Sequence, residues 1–303
     1  MKLYAPKYYT QFKCIADKCK HSCCIGWEID VDPKTERLYA SLSSGYGKVV
    51  KESVDKSEAP HFALCEGECC PHLDQSGLCR IITELGQEYL CDICREHPRF
   101  YNRIAQGMEV GLGAACEEAC RLILESDEYA NIEHIGTTTA NGRAPRVDFV
   151  LQRSRLYNLI SESKEYTELL DRIGAEFGVT PALKTDEEWR ELIAQLEYLD
   201  PSHKEWFSCY YTGAQVPEQS EKYLKRALAY FIYRHCSAQR SETEFRCALG
   251  FCLFCERLLA SLIANASLQT ADQIGQALRV ISEEIEYSTD NTEAIKLEFS
   301  FYI

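Results

Sequence analysis

The cysteine content constrains this chain more than any other feature. Seventeen of its 303 residues are cysteines, and twelve of these lie within the first 120 positions. A disulfide framework fits poorly, because the total is odd and because Cys23-Cys24 and Cys69-Cys70 are adjacent pairs. In a reducing compartment, thiols at such a density typically bind metal. We therefore predict a metalloprotein whose first part is organised by its cysteines.

The N-terminal sequence and the charge restrict the location and the partners. The first residues contain no apolar core of a signal peptide, and no apolar run approaches the ~20 residues of a membrane span. We therefore expect a cytoplasmic protein with no membrane partner. Acidic residues outnumber basic residues by 47 to 33, a formal charge of -14. Nucleic-acid binding requires a basic surface, so we expect no nucleic-acid partner and a preference for cationic partners.

The composition divides the chain into three parts. Residues 1–125 hold the cysteine clusters and little periodic apolar sequence, which predicts loops folded around a bound metal. Residues 126–146 are small and polar and contain the breaker Asn141-Gly142, so we predict a linker there. Residues 147–303 carry most of the regular hydrophobic pattern and are predicted to form a helical domain.

Apolar residues recur with helical spacing throughout this last part of the chain. One such stripe contains Leu224, Leu228 and Phe231, which would share one buried face of a helix. Three capping-box patterns precede other stripes: Thr185-x-x-Glu188, Ser241-x-x-Glu244 and Thr270-x-x-Gln273. The predicted fold class is mainly α, with a loop-rich, cysteine-clustered, metal-binding N-terminal region followed by a helical bundle.

The clustered cysteines fall into four groups along the sequence: Cys14, Cys19, Cys23 and Cys24; Cys65, Cys69, Cys70 and Cys79; Cys91 and Cys94; and Cys116 and Cys120. Thiolates at such spacings suit Zn²⁺ or an iron–sulfur cluster. Zinc sites often contain two C-x2-C pairs, whereas this region contains one. The irregular spacing and the surplus of thiols favour an iron–sulfur cluster of the 4Fe-4S type, with zinc as the alternative.

The remaining candidate ligands are predicted not to bind metal. His21, His72 and His97 lie inside the cysteine segments, and we interpret them as surface residues or as neighbours of the ligands. Cys252-x-x-Cys255 lies within an apolar helical stripe and lacks the surrounding strands of a thioredoxin-like motif. These two cysteines are predicted to pack in the core, because free cysteine is among the most buried residue types.

Three segments resemble, in order, the flagellin lysine-N-methylase family: FKCIADKCKHSCCIGWEIDVD, CPHLDQSGLCRIITELGQEYLCDICREHPRF and CEEACRLIL. That family is related to a group of zinc- or iron-chelating proteins with a C-x-x-C-x-x-C-C signature. The resemblance implies a cluster-bearing enzyme that uses S-adenosylmethionine to methylate lysine side chains of flagellin. It also implies the metal ligands, which match the family pattern at Cys14, Cys19, Cys23, Cys24, Cys70, Cys79, Cys91, Cys94 and Cys116.

Lysine methylation gives the charged residues near these cysteines candidate roles. A free lysine has a pKa near ~10.4, so an enzyme must desolvate the ammonium or supply a base. Glu28 and Asp30 follow the first cysteine group and are candidates for that base. Arg95 and Arg99 are candidates to bind the carboxylate of S-adenosylmethionine. The alternative is that the two acids are solvated or cap a helix N-terminus, and that the arginines form structural ion pairs.

The sequence lacks the usual nucleotide-binding pattern of methyltransferases. Gly111-Leu-Gly113 has no third glycine and no strand–turn–helix frame around it, and the C-x3-C-x2-C motif of common radical S-adenosylmethionine enzymes is also missing. S-adenosylmethionine would therefore bind in a different fold. This absence keeps a second hypothesis open, namely a non-catalytic zinc- or iron-binding protein whose helical part binds a partner.

Overall fold

A computed structural model describes residues 1–57, 59–139, 145 and 147–301. The chain forms two compact units: Lys13–Pro98 is one, and Met1–Phe12 together with Arg99–Ile303 is the other. More than half of the described residues are helical, which confirms a mainly α protein. We call the first the smaller unit and the second the larger unit.

The strands all lie before residue 138 in the part of the chain that the structure describes. They are β1 (Lys2–Pro6), β2 (Ile29–Asp30), β3 (Val54–Asp55), β4 (His61–Phe62), β5 (Arg99–Ile104), β6 (Gly107–Leu112) and β7 (Ile132–Thr137). The larger unit has a four-stranded sheet in the order β5-β6-β1-β7, and the smaller unit has a three-stranded sheet in the order β2-β4-β3.

The helices follow in both units. They are α1 (Pro33–Ser41), α2 (Gly45–Ser53), α3 (Arg80–Glu84), α4 (Asp92–Glu96), α5 (Glu117–Glu125), α6 (Val150–Glu162), α7 (Tyr166–Phe177), α8 (Asp186–Ile193), α9 (Ser202–Phe207), α10 (Glu218–His235), α11 (Glu242–Asn265), α12 (Ala271–Ile281) and α13 (Thr289–Ser300). Short 3₁₀ helices cover Lys7–Gln11, Ala16–Lys18, Gln87–Tyr89 and Pro181–Leu183, and a π-helical turn covers Ser282–Glu286.

The sheet of the larger unit combines strands from two of the three predicted parts of the chain. β1 pairs in parallel with β6 and antiparallel with β7, so both ends of the predicted cysteine-rich region belong to this sheet. β7 itself comes from residues 126–146, the predicted linker, because its backbone completes the ladder of β1. Residues 140–144 and 146 of that segment, including Asn141-Gly142, lie outside the described residues.

α11 is the central helix of the larger unit. It packs against α10, α12 and α13, and its aromatic residues Phe245, Phe251 and Phe254 are completely buried. An 18-residue window of α11 has a mean hydropathy of 1.8, which by length and composition alone is enough to cross a membrane, and 94% of that window is buried inside the protein. Core helices of globular proteins share these properties, so α11 acts in this structure as the core of the unit.

The predicted helix starts agree with the structure, with one difference in detail. Thr185 and Thr270 each form a complete capping box with the residue three positions later. Ser241 caps α11 by accepting from the backbone N–H of Glu244, as predicted. The Glu244 carboxylate, however, accepts from the backbone N–H of Arg240 rather than that of Ser241. The Glu244 side chain therefore satisfies a backbone N–H that lies one residue earlier in the chain than in a complete capping box.

A buried carboxylate in the π-helical turn connects several elements of the larger unit. Glu286 accepts hydrogen bonds from Tyr230 Oη at 2.8 Å and pairs with His235 Nε2 at 2.6 Å, and Arg234 Nε lies 3.5 Å away. The same Tyr230 oxygen accepts from the backbone N–H of Ala114 at 2.9 Å. Burial alone would raise the pKa of Glu286, but the Arg234 charge and the His235 hydrogen bond outweigh it and lower the pKa to about 2.

This network predicts a specific loss of stability in acid. The pKa of Glu286 is lower in the folded state than its ordinary value of 4.5, so its contribution is complete above pH 4.5 and is lost as the pH falls towards 2. In urea unfolding between pH 5 and pH 2.5, the wild type should lose more stability than Glu286→Gln. Glu293→Gln, at an exposed pair with Lys296, should follow the wild type. Parallel curves for the wild type and Glu286→Gln would show that Glu286 is not the group responsible.

Candidate metal centre

Five of the nine predicted ligand cysteines lie in one hydrophobic core in the smaller unit. Cys70 and Cys91 are buried there, and Cys24, Cys79 and Cys94 pack against the same group of side chains. Their neighbours are aliphatic and aromatic residues from β2, β4, the helices and the adjoining loops: Ile29, Val31, Tyr39, Val50, Phe62, Ile81 and Leu90. We call these five cysteines and their neighbours the thiol core.

Backbone contacts bring these cysteines together from distant parts of the sequence. The N–H of Cys70 donates to the carbonyl oxygen of Cys24 at 2.8 Å. Cys79 forms an isolated antiparallel bridge with Leu73 and stands immediately before α3. Cys91 stands immediately before α4, and Cys94 lies within that helix. The loop and helix starts of the smaller unit therefore bring five cysteines into one hydrophobic core.

The thiols are close enough to alter one another's ionisation. A hydrogen bond with Cys23 lowers the pKa of Cys24 to about 7, against the effect of burial. The hydrogen bond with Cys91 raises the pKa of Cys94, and burial and the negative charges of Cys91, Cys24 and Cys23 raise it further. Burial likewise raises the pKa of Cys70 to about 12. Cys23, Cys24, Cys91 and Cys94 thus form one electrostatic group at the edge of the thiol core.

A tyrosine contributes a polar contact to this group. Tyr39 is 1% exposed, its Oη donates to the carbonyl oxygen of Tyr89 at 2.6 Å, and the same oxygen lies 3.5 Å from Cys91 Sγ. Burial and the interaction with Cys91 raise the pKa of Tyr39, so the phenol remains protonated. Sequence reasoning missed this residue, because a tyrosine in a short helix carries no signal of a partner 52 positions away.

Both ring nitrogens of His72 are within hydrogen-bond distance of other side chains. Its Nδ1 lies 2.8 Å from Tyr46 Oη and its Nε2 lies 2.9 Å from Ser53 Oγ, and the residue is 1% exposed. Burial and the charge of Arg80 lower the pKa of His72 to about 4, so it is neutral near pH 7. Both ring nitrogens therefore have side-chain partners in this structure. That His72 does not bind metal stays a prediction.

The other predicted ligands lie outside the thiol core. Cys14 is exposed and accepts from the backbone N–H of Ala16 at 3.4 Å, and Cys19 is partly buried and donates to the carbonyl oxygen of His21 at 3.2 Å. Cys116 belongs to the larger unit, where it precedes α5 and packs against the main core. Cys23, the fourth of these cysteines, is exposed. The metal-binding roles of all four stay predictions.

The thiol core contains the donor atoms of a metal site, but they do not yet have the geometry of bound ligands. Thiolate sulfur is the ligand that zinc and iron–sulfur clusters take in proteins, and five such donors lie together. Among residues 1–57, 59–139, 145 and 147–301, however, no three His, Cys, Asp or Glu side chains are already positioned around one ion. The donor set therefore fits a metal or cluster, and ligation requires the sulfurs to converge further.

The charged candidates near the cysteines have ordinary structural partners. Glu28 is on the surface, with its Oε1 3.3 Å from His61 Nε2, and Asp30 is an exposed residue of β2. Arg95 pairs with Asp92 and donates to the carbonyl oxygen of Leu90 at 3.1 Å. These contacts match the structural interpretation of the charged residues, and a catalytic or cofactor-binding role for them stays a prediction.

Arg99 lies in the larger unit, whereas Arg95 lies in the smaller one. Arg99 Nε donates to Tyr9 Oη at 3.1 Å, and its guanidinium carbon lies 5.5 Å from the centre of the Phe12 ring. Although the two arginines are close in the sequence, they belong to different compact units, and each has partners within its own unit.

The later cysteines pack in the larger unit. Cys236, Cys252 and Cys255 are completely buried, and the sulfurs of Cys236 and Cys252 lie 3.8 Å apart. Burial is the first cause that raises the pKa of Cys252 and of Cys255, as expected for inert thiols in an apolar core. They are suitable controls for the cysteines of the smaller unit.

Comparison with known proteins gives three relatives. The chain is 26% identical over 162 residues to the flagellar biosynthetic protein FliU of Salmonella muenchen, a match that covers 51% of this chain and 94% of that protein. It is 28% identical over 130 residues to proteins named lysine-N-methylase from Salmonella choleraesuis and Salmonella typhimurium. The latter matches cover 41% of this chain and 32% of each relative, so the chain spans about a third of their length.

The sequence matches no family model, and no solved structure matches it. The resemblance to the flagellin lysine-N-methylase family that the cysteine segments predict is nevertheless confirmed by the two proteins named lysine-N-methylase. The relation to the C-x-x-C-x-x-C-C group stays a prediction.

The thiol core predicts which cysteines control metal content. Cys94→Ser should lower the metal bound per chain and make residues 13–98 more susceptible to limited proteolysis, because metal-binding energy is folding energy in such a site. Cys252→Ser should lose stability, through a buried hydroxyl, while keeping its metal. Metal analysis of both variants after anaerobic purification makes the comparison. Full metal occupancy in Cys94→Ser, or metal loss confined to Cys252→Ser, would place the ligands elsewhere.

Proposed function

We propose that this chain is a protein-lysine N-methyltransferase that uses S-adenosylmethionine and acts on flagellin. The observation that carries the proposal is the similarity to two proteins named lysine-N-methylase, over 130 residues each. The similarity to a flagellar biosynthetic protein supports flagellin as the substrate. We place the reaction in the cytoplasm, where reducing conditions keep free thiols such as these reduced.

The reaction requires an uncharged amine. The lysine nitrogen donates its electron pair to the methyl carbon, the carbon–sulfur bond of the sulfonium breaks, and a proton leaves the nitrogen. Because a free lysine is protonated near pH 7, a base or a dry environment must favour the neutral amine. An excess of acidic residues, with a formal charge of -14, supports the approach of a lysine-rich protein surface.

The thiol core would hold an iron–sulfur cluster of the 4Fe-4S type, with zinc as the alternative. Cys24, Cys91 and Cys94, together with Cys70 and Cys79, supply the donors, and Cys23 is hydrogen-bonded to Cys24 at its edge. A bound cluster supplies structural cross-links or an iron centre, whereas polar methyl transfer itself needs no metal. Tyr39 Oη lies 3.5 Å from Cys91 Sγ, and its one proton would have to turn from the Tyr89 carbonyl to that sulfur for Tyr39 to donate to a ligand thiolate. Hydrogen bonds to ligand sulfurs adjust the properties of such centres.

A second candidate function is favoured by the extent of the matches. They cover nearly all of a protein whose name describes flagellar biosynthesis, but only 32% of the lysine-N-methylases. A non-catalytic zinc- or iron-binding protein, with the helices of the larger unit binding a partner, would agree with that distribution. The two candidates differ in whether methyl transfer occurs.

A methyl-transfer assay separates the two candidates. Anaerobically purified protein, flagellin and S-adenosylmethionine with a labelled methyl group should give labelled methyl-lysine in flagellin. Cys94→Ser should reduce the rate by more than tenfold, whereas Cys252→Ser should retain it once corrected for folded protein. Metal-bound wild type that transfers no label to flagellin would contradict the proposed enzyme and favour the second candidate.

A further inference from the structure

Two cysteines of the smaller unit belong neither to the thiol core nor to the predicted ligands. They are Cys65, which is exposed, and Cys69, which is partly buried. The sequence CEGEC separates them by three residues, Glu66, Gly67 and Glu68. An accessible thiol with a second thiol beside it is the usual pattern of a cysteine pair that undergoes oxidation. The geometry of this pair therefore decides what it can do.

The backbone places the two cysteines opposite each other. They form an isolated antiparallel bridge, in which the N–H of Cys65 donates to the carbonyl oxygen of Cys69 at 2.7 Å. Opposite residues joined in this way have Cα atoms about 5.5 Å apart and side chains on the same face. Disulfides join residues whose Cα atoms are about 4.4–6.8 Å apart. The pair thus has the backbone arrangement of a disulfide, while both cysteines are free.

The face that the two thiols share is turned to solvent. Ile25 forms a bridge with Cys69 on the side away from Cys65, and it is 43% exposed. Because opposite residues of an antiparallel ladder point to the same face, these three side chains lie on one surface. Cys70, the next residue, is 5% exposed and belongs to the thiol core, as expected where successive side chains alternate. The adjacent cysteines 69 and 70 are therefore divided between the surface and the core.

The turn between the two cysteines has a fixed conformation. Gly67 has a φ of 76° and Glu68 a φ of 56°, in the left-handed region that residues other than glycine seldom adopt. The carbonyl oxygen of Glu68 accepts from the N–H of Gly26 at 2.9 Å, which ties the turn to the first cysteine segment. Cys69 Sγ lies over the turn and donates to the carbonyl oxygen of Gly67 at 3.4 Å. Joining the two sulfurs requires rotation of side chains on a backbone that already holds them opposite each other.

We propose that Cys65 and Cys69 are a redox-active dithiol, which a small disulfide such as oxidised glutathione converts to an intrachain disulfide. Cys65 attacks first, because it is the more exposed of the two. Its thiolate forms a bond to one sulfur of the oxidant, and one glutathione thiolate leaves. The Cys69 thiolate then attacks the Cys65 sulfur and releases the second glutathione. The cysteines give up two protons and two electrons, and the oxidant becomes two glutathione thiols.

The disulfide is a reversible modification and not a structural cross-link. In the cytoplasm, where we place the protein, disulfides are typically transient and serve catalysis or redox sensing. An exposed disulfide is also more easily reduced than a buried structural one, so an excess of reduced glutathione should reopen it. Neither cysteine is a predicted ligand, so the modification requires neither a bound metal nor methyl transfer, and it can be tested separately from the proposed function.

Mass spectrometry of the full chain tests the pair. Anaerobically purified protein is treated with oxidised glutathione, its remaining thiols are alkylated in denaturant, and it is cleaved with a protease that cuts after glutamate. Cleavage after Glu66 and Glu68 separates the two cysteines, so their disulfide appears as two joined peptides. This product should be about tenfold more abundant than any other disulfide of Cys65 or Cys69, because a thiol already in position reacts fastest. Its absence, or a bond from Cys65 to Cys70 in its place, would contradict the proposal.

Two serine variants distinguish the attacking thiol from the resolving one. Cys69→Ser should accumulate one glutathione on Cys65, because no second thiol can release it. Cys65→Ser should form no joined peptides and should keep the metal content of the wild type. Cys209→Ser, at a partly buried cysteine of the larger unit, is the matched control and should form the joined peptides. Metal loss from Cys65→Ser would show that Cys65 is a ligand and overturn the assignment, as would a Cys69→Ser protein that traps no glutathione.

Discussion

Burial of cysteine sulfur among a few apolar side chains is the interaction on which the smaller unit depends. Its strands contain two residues each, and its helices have five to nine residues, which is too short to be stable alone. The core that joins them contains five cysteines in addition to aliphatic and aromatic residues. In such a unit the thiols are part of the packing, so a metal bound there would act directly on folding.

The larger unit is stabilised in a different way. Its central helix, α11, is almost entirely buried, and α10, α12 and α13 pack around it. Buried charges there are paired: Arg153 with Glu109, Arg257 with Glu256, and Glu286 with Arg234 and His235. Such pairs fix geometry at a cost in desolvation.

Local patterns in the sequence predicted local structure well. The capping boxes at Thr185 and Thr270 and the apolar stripe of α10 each depend on residues within a few positions, and all appear in the structure. The sheet of the larger unit was missed, because β1 pairs with strands more than 100 residues away and no local signal encodes that pairing.

The positions of the cysteines in the sequence predicted some features of the candidate site but not others. Their density predicted a metal-binding region, but the membership of the thiol core depends on contacts such as that between Cys70 and Cys24, which spacing cannot specify. The most direct test is iron, sulfide and zinc analysis of anaerobically purified wild-type protein, together with its visible absorption spectrum. We predict stoichiometric iron and sulfide with a broad visible absorption. A colourless protein with one zinc would select the alternative metal, and a stable, metal-free protein would contradict the metal centre altogether.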